Sequence, residues 1–256
     1  MKDIAETPQV ALTCGLAPDG GTAILSRHVE WPWSLPRGFR RGGLTGALTV
    51  LPQCAGAALL PGDHWRHAVT VKAGAGVDLI SAGALMIHAD RKRGREGRSD
   101  WDLVAEAGAI LRHMPDPNVL MPGARMRQRI TLTLAPGARA VLFDGFCRQF
   151  AAPDLGGWWQ SDMIVSDAAN KVILRERQHV TEADLIAFAT LPGGTTAFGT
   201  VILLGDAPFP DGPLDLPDAY AAAGQTRGNT GQVIRIAAKT GGALDRAFRQ
   251  IRAALT

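Results

Sequence analysis

The amino-acid sequence predicts a mainly β protein whose short strands are wound in layers, as in a β-solenoid, with a few short helices that include one at the C-terminus. Three observations support this fold class. The 256 residues include 30 glycines and 16 prolines, which weaken helix interiors and suit tight turns between short strands. Several segments alternate apolar and polar residues, and a strand–turn–strand unit recurs through the middle of the chain.

The alternating segments identify the strands. In residues 67–72, Val69 and Val71 fall on one face, and Ile130, Leu132 and Leu134 alternate with threonines in the same way. This period of two is typical of a half-buried strand. Further strands are predicted at residues 77–81, 85–88, 102–106, 138–143, 158–165, 171–177 and 198–205.

The recurring unit organises these strands. Residues 69–80, 102–111 and 130–142 each contain an alternating strand, a turn rich in Gly and Ala, and a second strand. A glycine at the corner permits positive φ and close approach of backbones. Recurrence at intervals of about 30 residues indicates stacked layers, with three unrelated hairpins as the alternative.

Helices are predicted late in the chain. Thr181 and Asp184 have the spacing of a capping box, which opens a helix over residues 181–188. A second helix is predicted over residues 217–223 and a third over 242–255. The third has one apolar face, which either caps the protein's own core or docks a partner. That face is formed by Leu244, Phe248, Ile251 and Leu255.

The domain organisation follows from length and loop composition. We expect one domain over residues 1–256, with residues 1–21 as a loosely ordered N-terminal segment. Two segments, 91–98 and 207–217, have the composition of exposed loops, and neither is long enough for an interdomain linker.

Composition restricts the class of protein. The hydrophobic share of 46% and the charged share of 20% are those of a globular chain. Cys14, Cys54 and Cys147 are odd in number and far apart, so a reducing compartment is expected. The N-terminus lacks a signal-peptide pattern, and no run of about 18 apolar residues is present. We therefore expect a cytoplasmic protein with no membrane segment.

The densest polar cluster runs from Asp63 to His67. Carboxylate and imidazole suit a divalent first-row metal ion. However, His64 and His67 would share a face only in a helix, whereas this segment is predicted as a strand. An aspartate in a turn followed by ordinary strand residues is the favoured interpretation. A metal-dependent enzyme that uses Asp63, His64 and His67 is the alternative.

Other catalytic patterns are weaker. The sequence has no G-x-S-x-G elbow, H-E-x-x-H motif or Walker A loop. Cys147 could pair with His113 or His179 as nucleophile and base, but a lone buried cysteine is more often a small apolar residue.

Two further features have structural interpretations. The basic residues 91–98 favour a solvated loop, with a partner contact second. They contain no aromatic side chain, so a stacking platform for single-stranded nucleic acid is not indicated, and nucleic-acid binding through their charge is a third, weaker hypothesis. Trp158 and Trp159 point to opposite faces of a strand, so at least one should be buried.

In order, these segments resemble the UreD family of urease accessory proteins, called UreH in some species. The resemblance covers about residues 22–255 and depends on the order and spacing of several short elements. These elements are Leu51-Pro52, Pro61-Gly62-Asp63, the strand and turn at 69–75, the small-residue segment 79–84, Met114-Pro115-Asp116-Pro117, Pro122-Gly123-Ala124-Arg125 with Gln128, and the closing helix 244–255.

The chain also departs from the family pattern. Ala57-Ala58 and Pro61 stand where members usually carry glycines, and Met86 replaces a common lysine. After Cys147-Arg148 the family's Gly-Glu is not recognisable around Gly156-Gly157-Trp158. Whether another residue replaces that acid is left open.

The resemblance implies a function. UreD-type proteins are non-catalytic β scaffolds that hold apo-urease and, with UreF- and UreG-type partners, support nickel insertion. Polar residues are thought to line an internal route for nickel. For this chain that implies Asp63 and Ser81 as route residues, with His64 and His67 beside them, no tightly bound cofactor, transient nickel, and a homo-oligomer within the complex.

Overall fold

The computed structural model describes residues 7–40, 46–90, 92–149, 153–190, 193–205 and 208–255. The strands are β1 (Val10–Leu16), β2 (Thr22–Val29), β3 (Trp33–Ser34), β4 (Phe39–Arg40), β5 (Leu48–Val50), β6 (Gln53–Cys54), β7 (Ala58–Leu59), β8 (His64–Val71), β9 (Gly76–Ile80), β10 (Met86–Ile87), β11 (Gly97–Ala105), β12 (Ile110–Met114), β13 (Asn118–Leu120), β14 (Arg125–Leu134), β15 (Arg139–Arg148), β16 (Trp158–Asp167), β17 (Val172–Thr181), β18 (Ala197–Leu204), β19 (Gly212–Leu216), β20 (Ala219–Gln225) and β21 (Gly231–Ala238). The helices are α1 (Glu182–Thr190) and α2 (Gly241–Ala254).

The middle of the chain is a β-solenoid. In the first sheet the order is β17-β16-β14-β11-β8-β1-β2, and β8, β11, β14 and β16 are parallel. The second sheet contains the parallel run β5, β9, β12 and β15, which antiparallel β18, β21, β20 and β19 extend. The narrow strip β7-β10-β13 forms a third side. The chain visits the first sheet, the second sheet and the strip in turn, so the predicted layered fold is confirmed.

The Gly-Ala turns are the corners of successive coils. Gly74, Gly108 and Gly137 have φ of 69°, 66° and 72°, a left-handed conformation that favours glycine. Neighbouring corners are hydrogen-bonded, since the Gly74 amide donates to Ala107 and the Gly108 amide donates to Pro136. The glycines of the sequence repeat therefore stack the coils on one another.

Apolar side chains fill most of the space between the two sheets. Val69, Leu103, Leu132 and Val165 lie in register across β8, β11, β14 and β16. All are buried, and Leu142 of β15 belongs to the same cluster. This alternation of inward and outward positions is the period-2 pattern of the sequence.

Helix α2 covers the outer face of the second sheet. Phe248 packs edge-on against Phe143, with ring centroids 4.9 Å apart. A Cβ atom at Gly145 or Gly199 would lie within 2.8 Å or 2.7 Å of Phe248, so both glycines are needed for this close packing. The apolar face predicted for the C-terminal helix therefore caps the protein's own core.

Three predictions about local structure are corrected. β1 lies inside the first sheet between β2 and β8, so residues 10–16 are ordered, while residues 1–6 fall outside the described part. Residues 217–223 do not form a helix, because Asp218 turns the chain with φ of 57° and β20 pairs with β19 and β21. Sheet pairing there overrides the helix propensity of an alanine-rich segment. The predicted loop 207–217 contains β19, and Ala207 is outside the described residues.

The first predicted helix is confirmed as α1. The Asp184 amide donates to Thr181 Oγ1, and the Thr181 amide donates back to Asp184 Oδ2, which is a capping box. Within the described residues, neither helix combines the length and apolar character needed to cross a membrane.

Candidate functional site

A row of polar side chains interrupts the apolar interior of the first sheet. Ser99, Gln128, Ser161 and Gln178 lie in register on β11, β14, β16 and β17. The first three are buried. Gln128 Nε2 donates to Ser161 Oγ over 3.4 Å, so the row is linked along the sheet.

The second sheet carries a matching row. Asp144, Thr200 and Arg235 lie in register on β15, β18 and β21. Gln128 Nε2 donates to Asp144 Oδ1 over 2.8 Å, and Gln178 Nε2 donates to Thr200 Oγ1 over 2.8 Å. These bonds cross from one sheet to the other. The two rows therefore form one polar band through the sandwich, and we use that name below.

One side of the polar band opens into a cavity of about 180 Å³ between the sheets. We call it the interior cavity. Its walls include Asp144 and Gln128 from the polar band, His67 and Trp101 from the first sheet, and His113 from the second. The wall also includes the exposed residues 82–84, so the cavity reaches the surface beside this loop.

The other side of the polar band meets a surface groove of about 350 Å³ that contains Gln178, Thr200 and Arg235. Arg235 Nη1 donates to Thr200 Oγ1 over 3.0 Å, and its Nη2 donates to Glu176 Oε2 over 2.6 Å. The polar band thus extends from a cavity mouth at one surface to an ion pair at another.

Several cavity-lining atoms lack hydrogen-bond partners. Among the described residues these buried atoms are Trp33 Nε1, His67 Nε2, His113 Nδ1 and Asp144 Oδ2. A buried polar atom left unsatisfied costs about 1–3 kcal/mol. Four such atoms around one space indicate a cavity that holds water or a polar solute.

The buried carboxyl of Asp144 has no cationic partner among the described residues. Burial raises the pKa of Asp144 to about 6, and nearby Glu176 adds to the rise. Hydrogen bonds from Ser161 and Gln128 oppose the rise only in part. This carboxyl therefore keeps its proton to a higher pH than an exposed aspartate does.

A network of hydrogen bonds borders the cavity mouth. Ser81 Oγ donates to Asp116 Oδ2 over 3.0 Å and accepts from the Asp116 amide over 2.8 Å. Arg252 of α2 donates from Nη1 to Asp116 Oδ1 over 3.0 Å. The mouth is thus tied to the C-terminal helix.

The residues predicted from the sequence are divided between two environments. Ser81 and His67 line the interior cavity. Asp63 instead accepts a hydrogen bond from the Leu60 amide over 3.0 Å, which closes the turn before β8. His64 faces outward, where its Nε2 lies 2.7 Å from Asp100 Oδ2. His64 and His67 thus occupy opposite faces, as expected for a strand.

The part of the chain that the structure describes contains no three-ligand metal site. Within the described ranges, no group of three His, Cys, Asp or Glu side chains is placed to hold one ion. The separation of His64 from His67 also disfavours the metal-dependent enzyme that the sequence left as an alternative.

Sequence reasoning missed His113, Gln128 and Asp144 as wall residues of the cavity. A signal was present, because Ser99, Gln128 and Ser161 each replace an apolar residue at an inward position, about 30 residues apart. The sequence repeat identified the coils, but the polar residues at equivalent positions of successive coils were not compared with one another.

Glu182 provides an acid beside Arg148. Arg148 Nη2 donates to Glu182 Oε1 over 3.0 Å, and both side chains are buried. The amides of Leu155 and Gly157 donate to Glu182 Oε2 over 2.7 Å and 3.2 Å. Burial alone would raise the pKa of Glu182, but these amides, the Gly123 amide and Arg148 outweigh it and hold the pKa below its usual range. In the folded chain α1 thus places an acid beside Arg148, and this acid holds the loop at Gly156-Gly157.

Part of the basic segment is neutralised by acids in or beside it. Arg95 pairs with Asp90 at 2.7 Å, and Arg98 and Arg127 share Glu96 at 2.6 Å and 3.2 Å, while Arg91 is outside the described residues. These contacts agree with a solvated, internally paired segment.

The two adjacent tryptophans and the cysteines have packing roles. Trp159 is fully buried and Trp158 is partly exposed, as predicted for a strand. Cys14 and Cys147 are buried, and burial raises the pKa of each thiol to about 11. Cys147 packs against Gly241 of α2. A thiol with so high a pKa is a poor nucleophile.

Comparison with known proteins agrees with this architecture. Residues 8–256 match the family model described as UreD urease accessory protein. The chain is 31% identical over 247 residues to urease accessory protein UreD 1 of Methylorubrum populi, covering 89% of this chain and 81% of that protein. It is 29% identical over 240 residues to urease accessory protein UreD of Mycolicibacterium smegmatis, covering 91% and 84%.

Proposed function

The chain belongs to the UreD family of urease accessory proteins, and we propose that it is a scaffold that holds apo-urease while nickel is inserted. Family membership supports a role in urease maturation, and the accessory description suggests a non-catalytic one. The finer proposal is that the protein acts in the cytoplasm with UreF- and UreG-type partners, carries no tightly bound cofactor, and forms a homo-oligomer within the complex.

The polar band carries this proposal. A sandwich that needed only stability would continue its apolar rows, because unsatisfied polar atoms in the interior are costly. A protein that passes on a metal ion must bind it weakly enough to release it. Scattered oxygen and nitrogen ligands along a hydrated passage suit that task better than a closed cage.

Each predicted route residue receives a place in this proposal. Ser81 and Asp116 form the mouth, and His67 lies inside. Asp63 and His64 lie outside the interior cavity. For these two we propose a contact with cargo or partner at the surface next to β8.

The first test removes one polar side chain from the passage by a single substitution. Gln128→Met keeps the side-chain length but removes the amide that links the two rows. We expect urease activity and nickel per urease to fall several-fold in cells that express urease and the other accessories. The matched control is Met126→Leu, which changes an inward residue of the same strand outside the polar band.

Full activation by a folded Gln128→Met variant would contradict a passage through the polar band. Failure of the isolated protein to co-purify with a UreF-type partner at mild salt would contradict the scaffold role itself. Stoichiometric metal that survives dialysis would favour the enzyme alternative instead.

A second test concerns Asp63. We expect Asp63→Ala to fold, because the carboxylate closes only a surface turn, and to reduce nickel-dependent urease activation. Asp19→Ala is the control, since Asp19 Oδ1 caps an equivalent turn at the Gly21 amide. Equal activation by the two variants would remove Asp63 from the route.

A further inference from the structure

We infer that His67 and His113 form a two-imidazole station in the interior cavity, at which a divalent transition-metal ion is held briefly. The inference deepens the proposed function and rests on it only for the identity of the cargo. It adds His113 to the His67 already expected on the route and identifies a ring nitrogen that is free to bind the ion.

The hydrogen bond of His67 determines which ring nitrogen is free. Its Nδ1 lies 3.3 Å from the Asp100 carbonyl oxygen. A carbonyl only accepts, so Nδ1 carries the proton and Nε2 carries the lone pair. Nε2 is buried without a partner, and the residue lines the cavity. Metal-binding histidines typically donate their other N–H in this way, because the bond orients the ring and fixes the tautomer.

Aromatic rings hold both imidazoles in place. The His67 ring stacks on Trp101 with centroids 3.9 Å apart and an interplanar angle of 9°. Trp33 packs edge-on with the His67 ring, with centroids 4.5 Å apart. His113 reaches the same Trp101 ring from the opposite sheet, at 4.5 Å. One indole therefore positions a histidine from each wall, and little conformational entropy is lost when an ion arrives.

The chemistry of the station favours borderline transition-metal ions. Burial lowers the pKa of His67 and of His113 to about 3, so both rings are neutral at physiological pH. Neutral imidazole suits Ni²⁺, Cu²⁺ and Zn²⁺, whereas Mg²⁺ and Ca²⁺ prefer carboxylate, carbonyl and water oxygens. The station therefore distinguishes nickel from the abundant hard cations.

The small number of protein ligands at the station also favours release of the ion. Within the described chain no third His, Cys, Asp or Glu completes a ligand set, so water or neutral oxygens of the wall, such as that of Gln128, must supply the remaining positions. The cavity of about 180 Å³ has room for several such waters. An ion held by two nitrogens and water leaves more easily than one in a closed tetrahedral site.

The direct test uses the wild-type protein with NMR labels in its histidines. The chain has 6 histidines, so each imidazole can be followed separately while Ni²⁺ alone is added. We expect paramagnetic broadening of His67 and His113 at stoichiometric Ni²⁺, and no response to Mg²⁺. Before addition, the nitrogen shifts of His67 should report the Nδ1-protonated tautomer. Broadening confined to exposed histidines such as His28 would overturn the station.

Variants give a second measurement. His113→Gln should weaken the Ni²⁺ response of His67 by about tenfold or more. His28→Gln, which alters an exposed histidine paired with Glu30, should leave that response unchanged. If His113→Gln fails to fold, the wild-type NMR titration still decides the question.

The two proposals fail in different ways. Ni²⁺ at the imidazoles without urease activation or partner binding would contradict only the proposed function. Normal activation by a folded protein whose imidazoles do not respond to Ni²⁺ would contradict only the station.

Discussion

Two rows of inward-facing residues in the first sheet differ sharply in chemistry; each row, called a level below, runs in register across the parallel strands. At one level Val69, Leu103, Leu132 and Val165 stand in register across four parallel strands, buried and apolar. Further along the same strands the corresponding level is Trp65, Ser99, Gln128 and Ser161. Backbone pairing and register are the same at both levels. Only the side chains change, so the difference reports what each level is for.

The apolar level stabilises the coils. Burying apolar surface contributes about 25 cal/mol per Å², and aliphatic rows without polar atoms leave nothing unsatisfied. The polar level does the reverse, because Asp144, which faces Gln128 from the second sheet, has an Oδ2 atom that is buried without a partner. Departures of this kind from the best packing concentrate at functional sites. We conclude that the solenoid supplies rigidity and that the polar band is retained at a cost in stability.

The largest expected effect is at the apolar level. Leu132→Ala removes a fully buried side chain from the centre of the row. We expect a loss of about 2–5 kcal/mol in the free energy of unfolding, because a cavity remains that rigid coils cannot close. Urea denaturation followed by circular dichroism measures this loss.

Ser161→Ala, in the same register at the polar level, is the matched comparison. It should lower the free energy of unfolding by only about 1 kcal/mol, since Ser161 accepts one long hydrogen bond from Gln128 and hydrogen-bonds to the Asp144 carboxyl. Equal losses in the two variants would show that both levels serve stability alike.

The second prediction is an increase in the free energy of unfolding, the opposite of the effect of Leu132→Ala. Asp144→Asn should raise the free energy of unfolding by about 2–3 kcal/mol at pH 7.5. Burial raises the pKa of Asp144 to about 6 in the folded protein, against 3.8 for an ordinary aspartate. Between these values the folded state keeps a proton that the unfolded state loses, so stability falls as the pH rises to about 6 and stays lower above it.

The pH dependence provides the control for this variant. Near pH 3.5 the carboxyl is protonated in both states, so Asp144→Asn and the wild type should unfold at similar urea concentrations. If the variant is more stable at pH 7.5 yet supports less urease activation, the polar band exchanges stability for function. Destabilisation at pH 7.5 would show instead that the charged carboxyl supports the fold.

The sequence was a good guide to the coils and a poor guide to the band. Alternation and the corner glycines at 74, 108 and 137 predicted the solenoid, because both are local signals that the backbone must obey. The helix prediction for residues 217–223 was wrong. An alanine-rich segment has helix propensity, and its pairing with β19 and β21 cannot be read from the segment itself. Sheet pairing is a tertiary effect that local propensity does not contain.

The candidate site was only partly predictable for the same reason. Ser81 was identified through its position in the family resemblance and His67 through the polar cluster 63–67, and both line the interior cavity. His113 and Asp144 were not, because their importance arises only when the second sheet faces the first. Register brings them together across long sequence separations, which a motif read along the chain does not reveal.

The third and smallest prediction concerns the two buried histidines. Burial lowers the pKa of His67 and His113 to about 3, whereas an unfolded histidine titrates near 6.5. As the pH falls below 6.5, the histidines bind protons in the unfolded state but not in the folded state, so the free energy of unfolding decreases. By pH 6 the loss is about 1 kcal/mol for each imidazole.

The measurement must separate the histidines from Asp144, whose contribution has the opposite sign in the same pH range. Urea denaturation at pH 7.5 and pH 6 is therefore done in the Asp144→Asn background, where the carboxyl no longer titrates. Adding His113→Gln should remove about 1 kcal/mol of the remaining difference between the two pH values, which is one imidazole's share. An unchanged difference would mean that His113 has the same pKa, near 6.5, in the folded and the unfolded protein. In that case protons would compete with a cation for the His113 ring as the pH falls through that range.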